Sequence, residues 1–363
     1  MRVGIIGAGL SGSIFYNLMS SNGFNIDIYD PSLARGCKSV NFIFSDKKDF
    51  LIVKKVLKIA NLDIKDYIVN EIKKVNVDGD DYSISKKVFV LNKLKLIEDL
   101  TPRTTIINRE FNPVLKRFMT KVIDSGAVVK EFTTDAETKF YDLIVDASGC
   151  AKVLQMSNES QKHKNDIRTC QFLISCNDKD GVDKFFIDEI KIQKGKPMIG
   201  YTWVNPIGDN LYHVGCAYYK NDYELWNYLA KYSKNFFGGK CNRVCSCTSK
   251  INGNLISESF IGGVYEKRCL VGIGESIGLT SPVGQGNVYA VYSAYILSKL
   301  LKKYDVDEAI IKYKNHIIKN FSELDTYKKS VKNFNILGIS KFLKTLYNVP
   351  TTKFMKILIK SKF

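Results

Sequence analysis

The sequence predicts an α/β protein, α+β overall. A parallel, doubly wound sheet is interrupted by a mostly antiparallel one and followed by a helical C-terminal segment. Three observations predict this. Residues 2–30 read as strand, glycine turn, helix and second strand. Residues 170–262 shift to strand-like runs separated by turns. Residues 269–301 repeat the order strand, glycine loop, helix.

The first stretch carries the sharpest signal. The apolar run Val3 to Ile6 opens into Gly7-Ala8-Gly9-Leu10-Ser11-Gly12, and a second strand ends at Asp30. Gly7 suits a tight turn, Gly9 lets backbone approach a pyrophosphate, and Gly12 lets the helix pack close to the sheet. The helix N-terminus offers free N–H groups and partial positive charge to phosphates. An acid about 20 residues on is placed for a ribose hydroxyl. The pattern predicts a Rossmann-like, dinucleotide-binding unit. It does not separate FAD from NAD, because both carry the same ADP half.

Length and composition set wider bounds. The 363 residues suffice for one large or two medium domains. A net charge of +17 points to an anionic partner: nucleic acid, a membrane surface or a phosphorylated substrate. No nucleic-acid recognition motif accompanies it, so none is expected. Nine cysteines without a regular framework suit a reducing cytoplasm. The N-terminus enters a strand at once, without a secretory signal. The uncharged run Ser276 to Ser298 is broken by Pro282, Gly284 and Gly286, so it does not read as a membrane span.

Past Asp30, the loop Arg35-Gly36-Cys37-Lys38 sets a cysteine between cations, which favours the thiolate. Between 41 and 100, Val53, Val56, Leu57 and Ala60 fall at helical spacing. Tyr82 to Ser85 and Val88 to Leu91 read as strands. Thr104 to Ile107 reads as a strand leading to a helix, capped by Asn112-Pro113, with Arg109 at its entry. A strand is expected at Ala127 to Lys130, and another from Tyr141 into Asp146-Ala147-Ser148-Gly149.

In the β-rich stretch, strands are expected at Gln171 to Ser175, Met198 to Val204, Tyr212 to Tyr219 and Leu255 to Ser259. A turn is expected at Pro206 to Asn210 and a helix at Tyr223 to Phe237. Cys241, Cys245 and Cys247 lack a CxxC pair or a neighbouring histidine, so a redox pair or plain packing is expected rather than zinc. Strand Cys269 to Gly274, loop Glu275 to Asn287 and helix Val288 to Leu301 form a second glycine-led helix start. Two such sites suit one long cofactor clasped at both ends, which favours FAD over NAD. Beyond Asp325 there is no acid and there are nine lysines, on helical arcs with Phe342, Leu343, Leu346, Tyr347, Phe354, Ile357 and Leu358. Such basic amphipathic helices sit on anionic membrane surfaces or lay their apolar side on the protein core.

Taken together, residues 1 to 300 resemble the geranylgeranyl reductase family, within the flavoproteins shaped like p-hydroxybenzoate hydroxylase. Five stretches carry the resemblance beside the N-terminal glycines: Arg35 to Lys38, Arg109-Glu110-Phe111-Asn112-Pro113-Val114-Leu115, Asp146 to Gly149, Gly200-Tyr201-Thr202-Trp203-Val204-Asn205-Pro206, and Gly274-Glu275 through Pro282, Gly284, Gly286 and Asn287. The chain departs from the family in lacking Pro and Gly beside Cys37, and in carrying Asn205 for Phe and Glu275 for Asp.

The resemblance implies an FAD-binding domain of residues 1–165 and 262–305, with an insertion at about 41–100. It implies a substrate-binding β-sheet domain at 166–261 and a basic helical region at 306–363. FAD would be held by Gly7, Gly9, Gly12, Asp30, Arg35, Arg109, Gly149, Glu275, Pro282, Gly284, Gly286 and Asn287. Tyr201, Trp203 and Pro206 would line a lipid cavity, and Cys37 would act in catalysis. The implied activity is reduction of C=C bonds in isoprenoid chains of lipids or their diphosphates. A flavin monooxygenase and a non-catalytic lipid-binding protein are the alternatives. No second dinucleotide motif is visible, so both NAD(P)H and ferredoxin remain open as electron donor. The implied location is cytoplasmic, peripheral on the anionic inner membrane face.

Overall fold

The structure is a computed structural model. It describes residues 1–30, 40–45, 47–77, 79–107, 141–154, 166–176, 184–189, 200–218, 225–239, 241–265, 268–281 and 286–332. Arg35, Cys37, Arg109, Pro282 and Gly284 lie outside the described residues, as do the helix expected after Asn112, the strand expected at Ala127 to Lys130 and the tail beyond Lys332.

Two sheets organise the chain. The first has strand order β13-β14-β7-β1-β2-β6. Its members are β1 (Arg2–Ile6), β2 (Asn25–Tyr29), β6 (Ile106–Ile107), β7 (Leu143–Asp146), β13 (Gly262–Tyr265) and β14 (Arg268–Gly272). Neighbours run parallel except the antiparallel pair β13–β14. Val3, Ile5, Leu143, Val145 and Val271 are fully buried, as expected where helices cover both faces of a parallel sheet. The first helices of the chain are α1 (Leu10–Ser20), α2 (Lys47–Ile59) and α3 (Lys93–Leu100). Further along the chain come α4 (Leu225–Phe237), α5 (Asn287–Leu301) and α6 (Val306–Lys332). The main core joins residues of the first sheet to α1, α2, α3, α5 and α6. Val53, Val56, Leu57 and Ala60, the helically spaced set, are all buried in it.

The second sheet runs β12-β8-β11-β10-β9-β4-β5-β3 and is antiparallel except for β4–β9. It comprises β3 (Val40–Ser45), β4 (Ile68–Val77), β5 (Asp80–Asn92), β8 (Ile167–Ser175), β9 (Lys184–Glu189), β10 (Gly200–Gly208), β11 (Leu211–Tyr218) and β12 (Asn242–Ile251). Strands from residues 40–92 therefore share one sheet with strands from 167–251. Helix α4 packs Leu225, Leu229 and Phe237 on Phe172, Val214 and Cys216, forming a second, smaller core.

Three local expectations are corrected. Tyr82 to Ser85 and Val88 to Leu91 belong to the single strand β5. Leu255 to Ser259 is no strand but holds a 3₁₀ turn at Ile256–Glu258. The Asp325 carboxylate accepts from Ile256 N (2.7 Å) and Ser257 N (2.9 Å), so a side chain occupies donors that a ladder would need. The turn expected at Pro206 to Asn210 shrinks to Asp209 and Asn210, both at positive φ, and Pro206 lies in β10. A register shift between Pro206 and Gly208 accommodates the missing N–H there. Finally, β9 and β12 carry no expectation. β12 is an edge strand with one face exposed and the other, Cys245, Cys247, Ser249 and Ile251, only half-buried and made largely of small residues, so its sequence shows no strong apolar alternation.

Lys328 also differs from the basic-surface expectation. It is 7% exposed, and its Nζ donates to the carbonyls of Asn254 (2.7 Å) and Gly278. Burial brings its pKa down to about 8. Cys241 forms a disulfide with Cys176, at a Cα–Cα distance of 4.6 Å. No helix among the described residues is long and apolar enough to cross a membrane.

Candidate functional site

The glycine turn leaves β1 at Gly7, whose φ is +99° and whose N–H donates to Tyr29 O (2.7 Å). Each glycine of the turn has its own steric reason. A Cβ on Gly12 would lie 2.0 Å from Gly7 O, so helix and turn touch there. A Cβ on Gly9 would meet no atom within 4 Å. Gly9 is thus not a packing glycine; it caps α1 on an open side, without a side-chain cap and without an acid in the first turn. The uncapped N–H groups and the helix dipole are available to an anion, so the turn fits a pyrophosphate. Asp30 is held at the same turn, its Oδ2 accepting from Ala8 N at 2.8 Å.

The second glycine loop packs against the first. Gly274, at φ +64°, comes so close to α1 that a Cβ would sit 2.9 Å from Ser11 Oγ. Gly274 N donates to Ser293 Oγ of α5 (3.0 Å), and Ser276 Oγ donates to Asp146 O at the end of β7 (2.7 Å). Gly286 caps α5, again without a side-chain cap, and Asn287 is the first residue of that helix. Gly149 faces Glu275, with Oε2 at 3.4 Å from the position of a Cβ. Gly7, Gly9, Gly12, Asp30, Gly149, Glu275, Gly286 and Asn287 are therefore gathered around the carboxyl ends of β1 and β7 and the starts of α1 and α5.

Glu275 is a partly buried carboxyl with defined partners. Its Oε1 accepts from Asn252 N (2.9 Å), while Asn252 Nδ2 donates to Glu275 O (2.7 Å). Burial pushes its pKa up, against the pull of Asn252 and Lys93. A second buried pair, Lys152 with Asp166, lies within electrostatic range. Lys93, the first residue of α3, has its pKa lowered by burial and raised by Glu275.

Tyr201 and Trp203 lie on one face of β10, with ring centroids 5.5 Å apart. Asn205 follows on the same face by the period of two. Opposite them on β11 stand Ala217, Gly215 and His213. The His213 ring lies 6.2 Å from that of Trp203, and its Nε2 meets Gln171 Oε1 at 2.7 Å. Burial first, and then the charge of Lys93, lowers the His213 pKa to about 4. Lys93 thus acts electrostatically on both Glu275 and His213, linking the glycine loops to this face. Pro206 is not brought together with Tyr201 and Trp203. It pairs with Tyr212, a member of the core under α4, and its carbonyl accepts from Asn70 Nδ2 (3.0 Å).

Sequence reasoning missed Lys93, Lys152, Asp166, Gln171, His213 and Asn252. Lys93 had a local sign, a lysine just inside a helix start, where a cation opposes the dipole. The others sit in strands or loops with no local pattern: cross-strand packing joins Gln171 to His213, an ion pair joins Lys152 to Asp166, and loop contacts join Asn252 to Glu275.

No protein-family model matches the chain. It is 66% identical over 366 residues to uncharacterized protein MJ1182 of Methanocaldococcus jannaschii, covering 100% of both chains. In structure it is similar to a geranylgeranyl bacteriochlorophyll reductase-like protein of Thermoplasma acidophilum, at TM-score 0.64 and 16% identity, over 99% of this chain and 95% of that one. It is also similar to Klebsiella pneumoniae HpxO complexed with FAD and uric acid, at TM-score 0.59 and 13% identity, over 99% and 96%. The chain therefore belongs to one family with the Methanocaldococcus jannaschii protein, and its fold is the FAD-dependent flavoprotein fold that the geranylgeranyl bacteriochlorophyll reductase-like protein also has.

Proposed function

We propose that this protein is an FAD-dependent reductase that saturates C=C bonds of isoprenoid chains, on lipids or on their diphosphate precursors. The observation that carries the reading is the Tyr201–Trp203 pair, set on the sheet face that Lys93 links to Glu275. The likeness in fold to a geranylgeranyl bacteriochlorophyll reductase-like protein supports it.

Reduced FAD, when bound, supplies a hydride. The residues of the chain do the rest. Gly9 leaves room for the pyrophosphate, and the start of α1 offers it N–H groups. Asp30 would hold the ribose, and Gly149, Glu275, Gly286 and Asn287 would hold the remainder of the cofactor. Arg35, Arg109, Pro282 and Gly284 are proposed for the same task from the resemblance. An isolated alkene has no carbonyl to polarise, so rate must come from holding it in a near-attack pose and excluding water. Tyr201 and Trp203 supply that wall. The second alkene carbon must receive a proton, and Cys37 is proposed from the resemblance to influence its delivery or the geometry of the flavin. The lysine-rich tail would hold the enzyme at an anionic membrane surface, where such chains reside.

A monooxygenase is the second reading, favoured by the likeness in fold to pqsL of Pseudomonas aeruginosa, a probable FAD-dependent monooxygenase. One experiment separates the two. The FAD-loaded protein is chemically reduced and incubated with a geranylgeranyl lipid, then the product is weighed by mass spectrometry. Gain of two hydrogens per reacted bond is expected. Gain of oxygen, in air with NAD(P)H, would replace this reading with the monooxygenase.

A further inference from the structure

We infer that Asn205 and His213 form a hydrogen-bond-accepting subsite that reads a hydroxyl or N–H group on the substrate, beside the aromatic wall. The inference rests on the proposal that Tyr201 and Trp203 line the substrate cavity.

Asn205 and His213 are directly paired residues of β10 and β11, so their side chains stand side by side on one face. Both are nearly sealed from solvent, at 3% and 5% exposure. Asn205 Oδ1 has no hydrogen-bond partner among the described residues. An unmet buried acceptor is destabilising unless something supplies a donor, so this atom points to a missing partner. His213 presents a second acceptor. Its Nε2 lies 2.7 Å from Gln171 Oε1, so with the amide in this orientation Nε2 carries the proton. The ring is neutral near pH 7, so Nδ1 keeps its lone pair. Two adjacent acceptors at the end of an aromatic strip match a ligand that brings a donor on an otherwise apolar body. A pure hydrocarbon segment would leave Asn205 Oδ1 unmet. The resemblance sharpens the contrast, since the family pattern has Phe where this chain has Asn205.

The test uses the full chain loaded with FAD and two matched ligand pairs: geranylgeraniol with its methyl ether, and 4-nonylphenol with its methyl ether. Binding is followed by tryptophan fluorescence in the wild type, Asn205→Leu and His213→Phe. The wild type is expected to bind geranylgeraniol roughly ten- to a hundredfold more tightly than the ether, as a site with buried acceptors should. That preference should collapse toward unity in Asn205→Leu, which keeps the branched shape and removes the acceptor. If Leu at 205 prevents folding, His213→Phe carries the same expectation, and the wild-type ratio stands on its own. Equal binding of alcohol and ether in both pairs overturns the inference, because the acceptors then serve an ordered water. A preference that persists in both variants also overturns it, because bulk of the methyl group then sets the ratio. An Asn205-dependent preference in the phenol pair alone, with no isoprenoid binding, upholds the subsite and rejects the isoprenoid reading. Loss of flavin content in Asn205→Leu without any ligand preference overturns the inference in favour of a cofactor contact.

Discussion

Trp203 lies flat across β11 at Gly215, so closely that a Cβ on Gly215 would fall 2.1 Å from Trp203 Cζ2. The indole owes its position to the absence of a side chain on the neighbouring strand. Gly215→Ala should therefore displace the ring. Overpacking of this kind costs about 1–3 kcal/mol. A lowered urea midpoint with an altered tryptophan emission spectrum is expected. Unchanged emission would show that the ring does not rest on Gly215.

Gly9 and Gly12 should separate binding from folding. A Cβ on Gly9 meets no atom within 4 Å, so Gly9→Leu should leave thermal stability near wild type while abolishing FAD retention. Gly12→Ala places a Cβ against Gly7 O and should lower the yield of folded protein. Flavin absorbance per protein and a thermal melt on both variants check this. Full flavin content in Gly9→Leu rejects the pyrophosphate assignment.

His213 should give the protein a measurable acid sensitivity. Its folded pKa of about 4 lies below the ordinary 6.5, so the unfolded chain binds more protons between these values. Stability from this group is fully present above about pH 6.5 and is lost as pH falls toward 4, by on the order of 3 kcal/mol. Urea unfolding of the wild type and His213→Phe across that window measures it. The variant should lack this component of the slope; parallel curves would contradict it.

The membrane role is tested by removing the tail at the right place. Asp325 and Lys328 hold the 3₁₀ turn and the Gly278 carbonyl, so a cut after Asp325 would damage the fold. A chain ending at Lys332 keeps α6 and loses Lys341, Lys344, Lys353, Lys356, Lys360 and Lys362. Each lysine near an anionic surface contributes about 1 kcal/mol. Co-sedimentation with phosphatidylserine vesicles should fall sharply for the shortened chain. Undiminished binding would remove the tail from the proposal.

What the sequence determined by itself is confined to features that neighbouring residues set. The β1–turn–α1 unit is one of these, because φ at Gly7, open space at Gly9 and the helix start all arise within a few residues. The α/β class, the mostly antiparallel second sheet and helices α4 and α5 also follow from local periodicity. Only the tertiary structure decided which distant residues meet. Strand pairing joined Asn205 to His213 and Gln171, turned Pro206 to the far side from Trp203, and drew residues 40–92 into the second sheet. Packing of the helices set Gly274 on Ser11 and buried Lys328, which composition alone had counted as surface charge. The physical reason is the same in each case. A local pattern determines which face of an element is apolar, whereas the register and order of elements depend on contacts that close only when the whole chain is folded.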